Sequence, residues 1–135
     1  MRVKNSIRVF IIPLSIFCLF LFVSPVLGID WVKLATTGDG HELSYDKGSV
    51  REIDAGTYRL WERIIYSDEG MKENVKTTVF IREINCQKNQ HRVISIIDYD
   101  ARGDTLFSGS DGRANWSPIP AGTVLDDLKK IVCPK

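Results

Sequence analysis

The stretch Trp116-Ser-Pro-Ile-Pro-Ala-Gly-Thr-Val-Leu-Asp-Asp-Leu-Lys-Lys-Ile-Val-Cys133 contains one short helix and the residue that fastens it. Thr123 is suited to the N-cap, because its hydroxyl can accept from an N–H one turn inside the helix. Asp126, three residues on, gives a Thr-x-x-Asp variant of the capping box. Asp126 and Asp127 put negative charge in the first turn and Lys129 and Lys130 put positive charge in the last, both favoured by the helix dipole. Pro134 ends the run. Leu125, Leu128 and Val132 form one stripe at helical spacing, with Val124 and Ile131 on its flanks. A helix of about nine residues is too short to persist alone in water. Its apolar stripe must dock, and the rest of the chain offers a sheet.

The opening residues set the compartment. Arg2, Lys4 and Arg8 precede a nearly unbroken apolar run, Val9–Val23, and Val26-Leu27-Gly28 supplies short residues for cleavage. This is the pattern of a secretory signal peptide over residues 1–28. The run is about 15 residues, short of the roughly 20 that span a bilayer, and Ser24-Pro25 interrupts it. Cys18 follows Phe17 in mid-run, where a lipid-attachment cysteine would need a small residue before it. The expectation is an exported protein, in the periplasm, on the cell surface or secreted, with no membrane span after cleavage.

The full chain of 135 residues carries a net charge of +1, but three of its 18 basic residues lie in the signal. Residues 29–135 therefore hold 15 basic and 17 acidic side chains. Near-neutrality argues against a nucleic-acid partner. The segment is the size of one small domain. Its only cysteines are Cys86 and Cys133, 47 positions apart. Oxidising export favours a disulfide between them over two free buried thiols.

Between the ends, the chain reads as short strands separated by turn chemistry. Ile29–Ala35, with Trp31 as a core anchor, precedes a Gly-Asp-Gly turn. Glu42–Asp46 and Ser49–Ile53 flank Asp46-Lys-Gly48. Thr57–Ser67 is rich in aromatic and β-branched residues: Tyr58, Leu60, Ile64 and Tyr66 share one face, Trp61 and Ile65 the other. Asp68–Asn74 is a polar connection. Val75–Cys86 puts Phe80, Ile84 and Cys86 on one side. Arg92–Asp100 and Thr105–Ser108 form a hairpin across Ala101–Asp104, and Ser108–Asn115 is a further loop. The expected class is α+β: an antiparallel β-sheet of about six strands with one C-terminal helix packed on it and tied by the disulfide.

An ordered set of residues carries a family likeness. It runs through Trp31, Tyr45-Asp46 with Ser49-Val50, Trp61, Ile84-Asn85-Cys86, Tyr99-Asp100 with Gly103, and Trp116, Ile119-Pro-Ala-Gly-Thr123, Leu128 and Cys133. In this order and across nearly the whole exported segment, the chain resembles the surface-adhesin protein E-like family of bacterial exported proteins. The resemblance implies the same sheet, helix and disulfide. It also implies a non-enzymatic role, since the family's namesake is a lipid-anchored surface adhesin that binds matrix and plasma proteins such as vitronectin and laminin. This chain lacks a suitable lipid-attachment cysteine. A soluble periplasmic envelope protein with a structural or small-ligand-binding role is the alternative.

Arg59, Trp61 and Arg63 alternate along one strand and could form a cationic-aromatic patch for an acidic glycan or protein, or simply a packed Trp with Arg stems beside it. Arg82, Lys76 and Arg92 would extend the patch if strand register allowed. His41 and His91 are 50 positions apart and lack companions at metal spacing. No nucleophile elbow is present. Asp98 and Asp100 sit beside a turn, where solvated carboxylates are ordinary. Arg102-Gly103-Asp104 is an adhesion-type tripeptide and equally ordinary turn chemistry. Asn115-Trp-Ser117 has the glycosylation pattern, but Pro118 follows. The expectation is no catalytic residue, no metal, no cofactor, and a protein partner.

Overall fold

The computed structural model describes residues 28–71 and 73–135. Cys18 and all of the expected signal peptide but Gly28 lie outside them. Eight strands form one antiparallel sheet: β1 Trp31–Thr36, β2 Glu42–Asp46, β3 Arg51–Asp54, β4 Thr57–Ile65, β5 Thr77–Asn85, β6 Gln90–Tyr99, β7 Thr105–Ser110 and β8 Ser117–Pro118. Among the described residues a single α-helix, α1 Val124–Val132, follows. The spine of the sheet runs β1-β2-β4-β5-β6-β7.

The six-strand spine matches the expected sheet of about six strands, and two short pieces, β3 and β8, add to it beside β4 and β6. β2 pairs with the second half of β4 and β3 with the first half, so the two lie end to end. A 3-10 turn at Lys47–Ser49 separates them. Asp46 caps that turn by accepting from Gly48 N–H at 3.0 Å, and it also accepts from Asp30 N–H at 3.0 Å. Opposite the break, Trp61 N–H would have no strand partner. It donates instead to Ser49 Oγ at 2.9 Å, as a backbone donor that loses its ladder must. β7 and β8 share β6 in the same way, with β8 adding only His91↔Ser117 and Gln90↔Pro118.

The helix forms where its local signals place it. Thr123 accepts from Asp126 N–H at 3.2 Å and donates to Pro120 O at 2.8 Å. The capping box is shifted by one residue: Asp126 reaches back to Gly122 N–H at 3.1 Å, not to the cap residue. Leu128 and Val132 are buried and Leu125 is partly so, while flanking Ile131 is exposed. The stripe meets Tyr45, Leu60 and Ile84 from β2, β4 and β5, with Ile119 from the approach to the helix. Leu60, Ile84 and Leu128 are fully buried. Cys86 and Cys133 are disulfide-bonded, closing a span of 47 positions and pinning the helix end to the end of β5.

The alternation read along β4 holds. Leu60 points to the helix, Tyr58 packs against the core, and Trp61 lies on the far side. Trp31 does not. It was expected in the core, but its paired position opposite Asp46 turns it to the face without a helix, while Val32, paired with the buried Tyr45, packs inward.

Candidate functional site: the helix-free face of the sheet

Residues paired directly across antiparallel strands share a face. Arg59 pairs with Arg51 of β3 on one side and Glu83 of β5 on the other, and Glu83 pairs with Arg92 of β6. Four strands thus bring three arginines around one carboxylate, on the face opposite Leu60. Arg59 donates to Glu83 Oε1 from Nη2 at 2.6 Å and from Nε at 3.0 Å. Arg92 Nε donates to Oε2 at 2.7 Å. The Glu83 side chain is only 1 % exposed. Burial raises its pKa, but hydrogen bonds and charge from Arg59 and Arg92 outweigh that, and the carboxyl sits below its usual range.

Tryptophan lines the same face at three points. Arg92 stacks on Trp116, with the guanidinium carbon 4.5 Å from a ring centroid, and donates to Ala114 O at 3.3 Å. Arg63 stacks on Trp31 at 4.4 Å. These are cation–π contacts, in which the charge rests on the electron-rich ring face. Trp61 lies between Arg59 and Arg63 along β4, opposite Ile81, and remains 38 % exposed. Every tryptophan of the chain is therefore on this face. Among the described residues, neither Arg51 nor Arg63 is within salt-bridge distance of a carboxylate. The face presents four guanidiniums, two of which are bonded to one sequestered carboxylate.

The three patch residues read from sequence are thus brought together, but unequally. Arg59 is committed to Glu83, Arg63 rests on Trp31, and Trp61 offers free surface. Of the candidate extensions only Arg92 joins them. Arg82 points to the helix side, where it pairs with Glu62 and meets His91 Nδ1. Burial pushes the Glu62 carboxyl up against the pull of Arg82, and burial with the Arg82 charge holds the His91 imidazole below its usual value. Lys76 pairs with Asp68. Arg51, Trp31 and Trp116 were missed, because register and not spacing makes them neighbours.

The remaining candidates separate. Asp98 bonds Thr78, whereas Asp100 accepts the N–H groups of Arg102 and Asp104 within its own turn. Arg102 folds back onto Asp100 and Asp104, at 3.4 and 3.1 Å, so the tripeptide's two charges are turned toward each other. Gly103 adopts φ +88°, the left-handed conformation this tight turn requires. His41 accepts from Ser67 N–H, remote in sequence from the His91 contact with Arg82. Among the described residues no group of three or more His, Cys, Asp or Glu is placed to hold a metal. No described helix is long and apolar enough to cross a membrane.

The Glu83 cluster makes a stability prediction. Its folded pKa lies below the ordinary carboxyl value of 4.5, so the ion cluster contributes above that pH and is lost as pH falls through the folded value. His91, whose folded pKa is below 6.5, begins to oppose folding as pH drops under that figure. Glu83→Gln is expected to cost about 2 kcal/mol at pH 7, less than for a fully buried pair because both arginines can reach water. Thermal melts at a series of pH values should show the gap between wild type and variant closing below pH 4.5. A gap independent of pH would assign the loss to packing and not to charge.

Comparison with known proteins agrees with the fold. The model of the family described as Surface-adhesin protein E matches residues 31–134, the full span from the first strand to just beyond the helix. No curated protein and no solved structure matches the chain. The chain belongs to the surface-adhesin protein E family.

Proposed function

We propose, proceeding from that membership, that this is an exported non-enzymatic binding protein whose helix-free sheet face docks an acidic surface of a protein partner. On this reading residues 1–28 direct export and residues 29–135 are the working domain. The observation that carries it is the half-exposed Trp61 set among Arg51, Arg59, Arg63 and Arg92 on a face that no helix covers. Trp and Arg are the residues most often found as binding hot spots, because each combines large contact area with a polar or charged tip. Arg63 and Arg51 need no other anion to give up before they meet a ligand's carboxylates or sulfates. Adhesion to host or matrix proteins is the natural use of such a face in this family.

The experiment is surface plasmon resonance of the exported domain against immobilised matrix and plasma proteins. Trp61→Ala combined with Arg63→Ala is expected to weaken binding at least tenfold while leaving the melting midpoint nearly unchanged. Arg59→Ala is a poorer probe, since it also strips a partner from buried Glu83. Binding should also weaken on raising salt from about 0.05 to 0.5 M, because exposed charges are screened within a shorter distance. Undiminished binding by the double variant would remove this face from the interaction. Protease treatment of intact cells separates display from retention: cleavage of the domain supports a surface adhesin, and full protection supports the periplasmic alternative.

A further inference from the structure

The helix covers only part of its own face of the sheet. Beyond it, His41, Tyr66, Gly70, Glu73, Val75, Thr78, Ile96 and Asp98 line a groove of about 510 Å³. Its floor is a cross-strand pair, Thr78↔Asp98, with Ile96 beside it on β6. Thr78 Oγ1 donates to Asp98 Oδ1 at 2.5 Å and lies 3.4 Å from Tyr66 Oη. Three side-chain oxygens therefore converge at one point of the floor. Tyr66 and His41 form the wall in an edge-to-face contact, ring centroids 5.1 Å apart. The loop carrying Gly70 closes on His41 so tightly that a Cβ at Gly70 would lie 2.0 Å from His41 Cε1. Only glycine allows that approach.

Among the described residues the charge of the groove is one-sided. Asp98 and Glu73 line it, and a neighbouring depression that shares His41 and Gly70 adds Asp39 and Glu69. Among the described residues no lysine or arginine lines either. Among the described residues, Lys76, just before β5, is engaged with Asp68. An alkylammonium group matches this lining. It carries three N–H donors for the three converging oxygens, its charge suits the carboxylate and the Tyr66 ring face, and its methylene stem suits Val75 and Ile96.

We propose that this groove is a second binding site, separate from the tryptophan-lined face, that takes a primary alkylammonium group: the end of a lysine side chain or a small free amine. The ammonium sits on Asp98, Thr78 and Tyr66 Oη, and the stem runs out along Val75 and Ile96 past His41.

Amide NMR titration of the exported domain tests this with n-butylammonium and a lysine-containing tripeptide. Saturable shifts clustered at Tyr66, Thr78, Ile96 and Asp98 are expected with both. Equal affinities identify a free-amine site, and tighter peptide binding identifies a lysine side chain; either supports the proposal. n-Butanol and the norleucine tripeptide should produce at least tenfold weaker responses, and so should Asp98→Asn. If Asp98→Asn fails to fold, Tyr66→Leu, which keeps apolar bulk but removes the ring and hydroxyl, should show the same loss. Equal binding of the uncharged isosteres would reduce the groove to an apolar cleft and overturn the proposal. So would displacement of the amine by equimolar sodium or calcium, or undiminished binding by a folded Asp98→Asn. None of these outcomes depends on Trp61 or Arg63, so the two sites succeed or fail separately.

Discussion

Replacing Cys133 by serine is expected to lower the thermal midpoint of the exported domain by roughly 15 °C or more. The bond to Cys86 closes a loop spanning 47 positions. In the chain-entropy account such a crosslink is worth about 4 kcal/mol, because the reduced unfolded chain has far more conformations to lose. A domain of this size shifts by several degrees per kcal/mol. The effect is enlarged in one respect particular to this fold. The helix is nine residues long, and the bond anchors its last turn while Leu128 and Val132 hold its inner face. Freed at the C-terminal end, the helix retains that apolar contact and a hydrogen bond from Lys129 to Asn89. Thermal melts followed by near-ultraviolet circular dichroism, with and without reductant, would measure it. The non-reduced protein should yield no alkylatable Cys86 or Cys133 by mass spectrometry. Alkylation of both without reductant, or an unchanged midpoint, would mean that the staple contributes nothing.

Leu128→Ala should cost nearly as much, about 3 kcal/mol, by leaving a cavity where the side chain now has no solvent exposure. Leu128 belongs to the same buried cluster as Tyr45, Leu60 and Ile84, one from each of three strands. Those strands cannot collapse inward without breaking their ladder hydrogen bonds, so the void would persist and not heal. Ile131→Ala, on the exposed flank at 55 %, should change the midpoint by little and serves as the control. Urea denaturation of both variants would show the contrast. Equal losses would mean that the helix docks through a different stripe. The Leu128→Ala loss should also differ in the Cys133→Ser background, because both changes act on one docking surface and neighbouring effects do not add.

How much of this was legible beforehand varies with the range of the interaction. The N-cap Thr123, the acidic first turn and basic last turn of α1 involve residues within a few positions, and the structure reproduces them with the capping box displaced by one residue. The alternation that sends Leu60 inward and Trp61 outward is equally local, since it follows from the two-residue repeat of a strand. The Cys86–Cys133 pairing is long-range, yet it was open to counting because residues 29–135 hold two cysteines and a single intramolecular match. Trp31 was placed in the core and belongs on the outer face. A large aromatic near a strand start signals burial of some kind, but its face depends on which residue of β2 it meets, here Asp46. The short β8 went unread for a related reason: it is two residues long and exists only through its pairing with His91 and Gln90 of β6, so no pattern within it shows it.

The linear chain by itself determined the helix, its N-cap, the inward and outward sides of β4 and the sulfur pairing. Each depends on spacing along the backbone or on a count. Strand order and register were decided only by tertiary packing, because they settle when every strand competes to bury its apolar side against the same helix. That competition places Glu83 between Arg59 and Arg92, lays Arg63 on Trp31, and gathers His41, Tyr66, Thr78 and Asp98 around one groove.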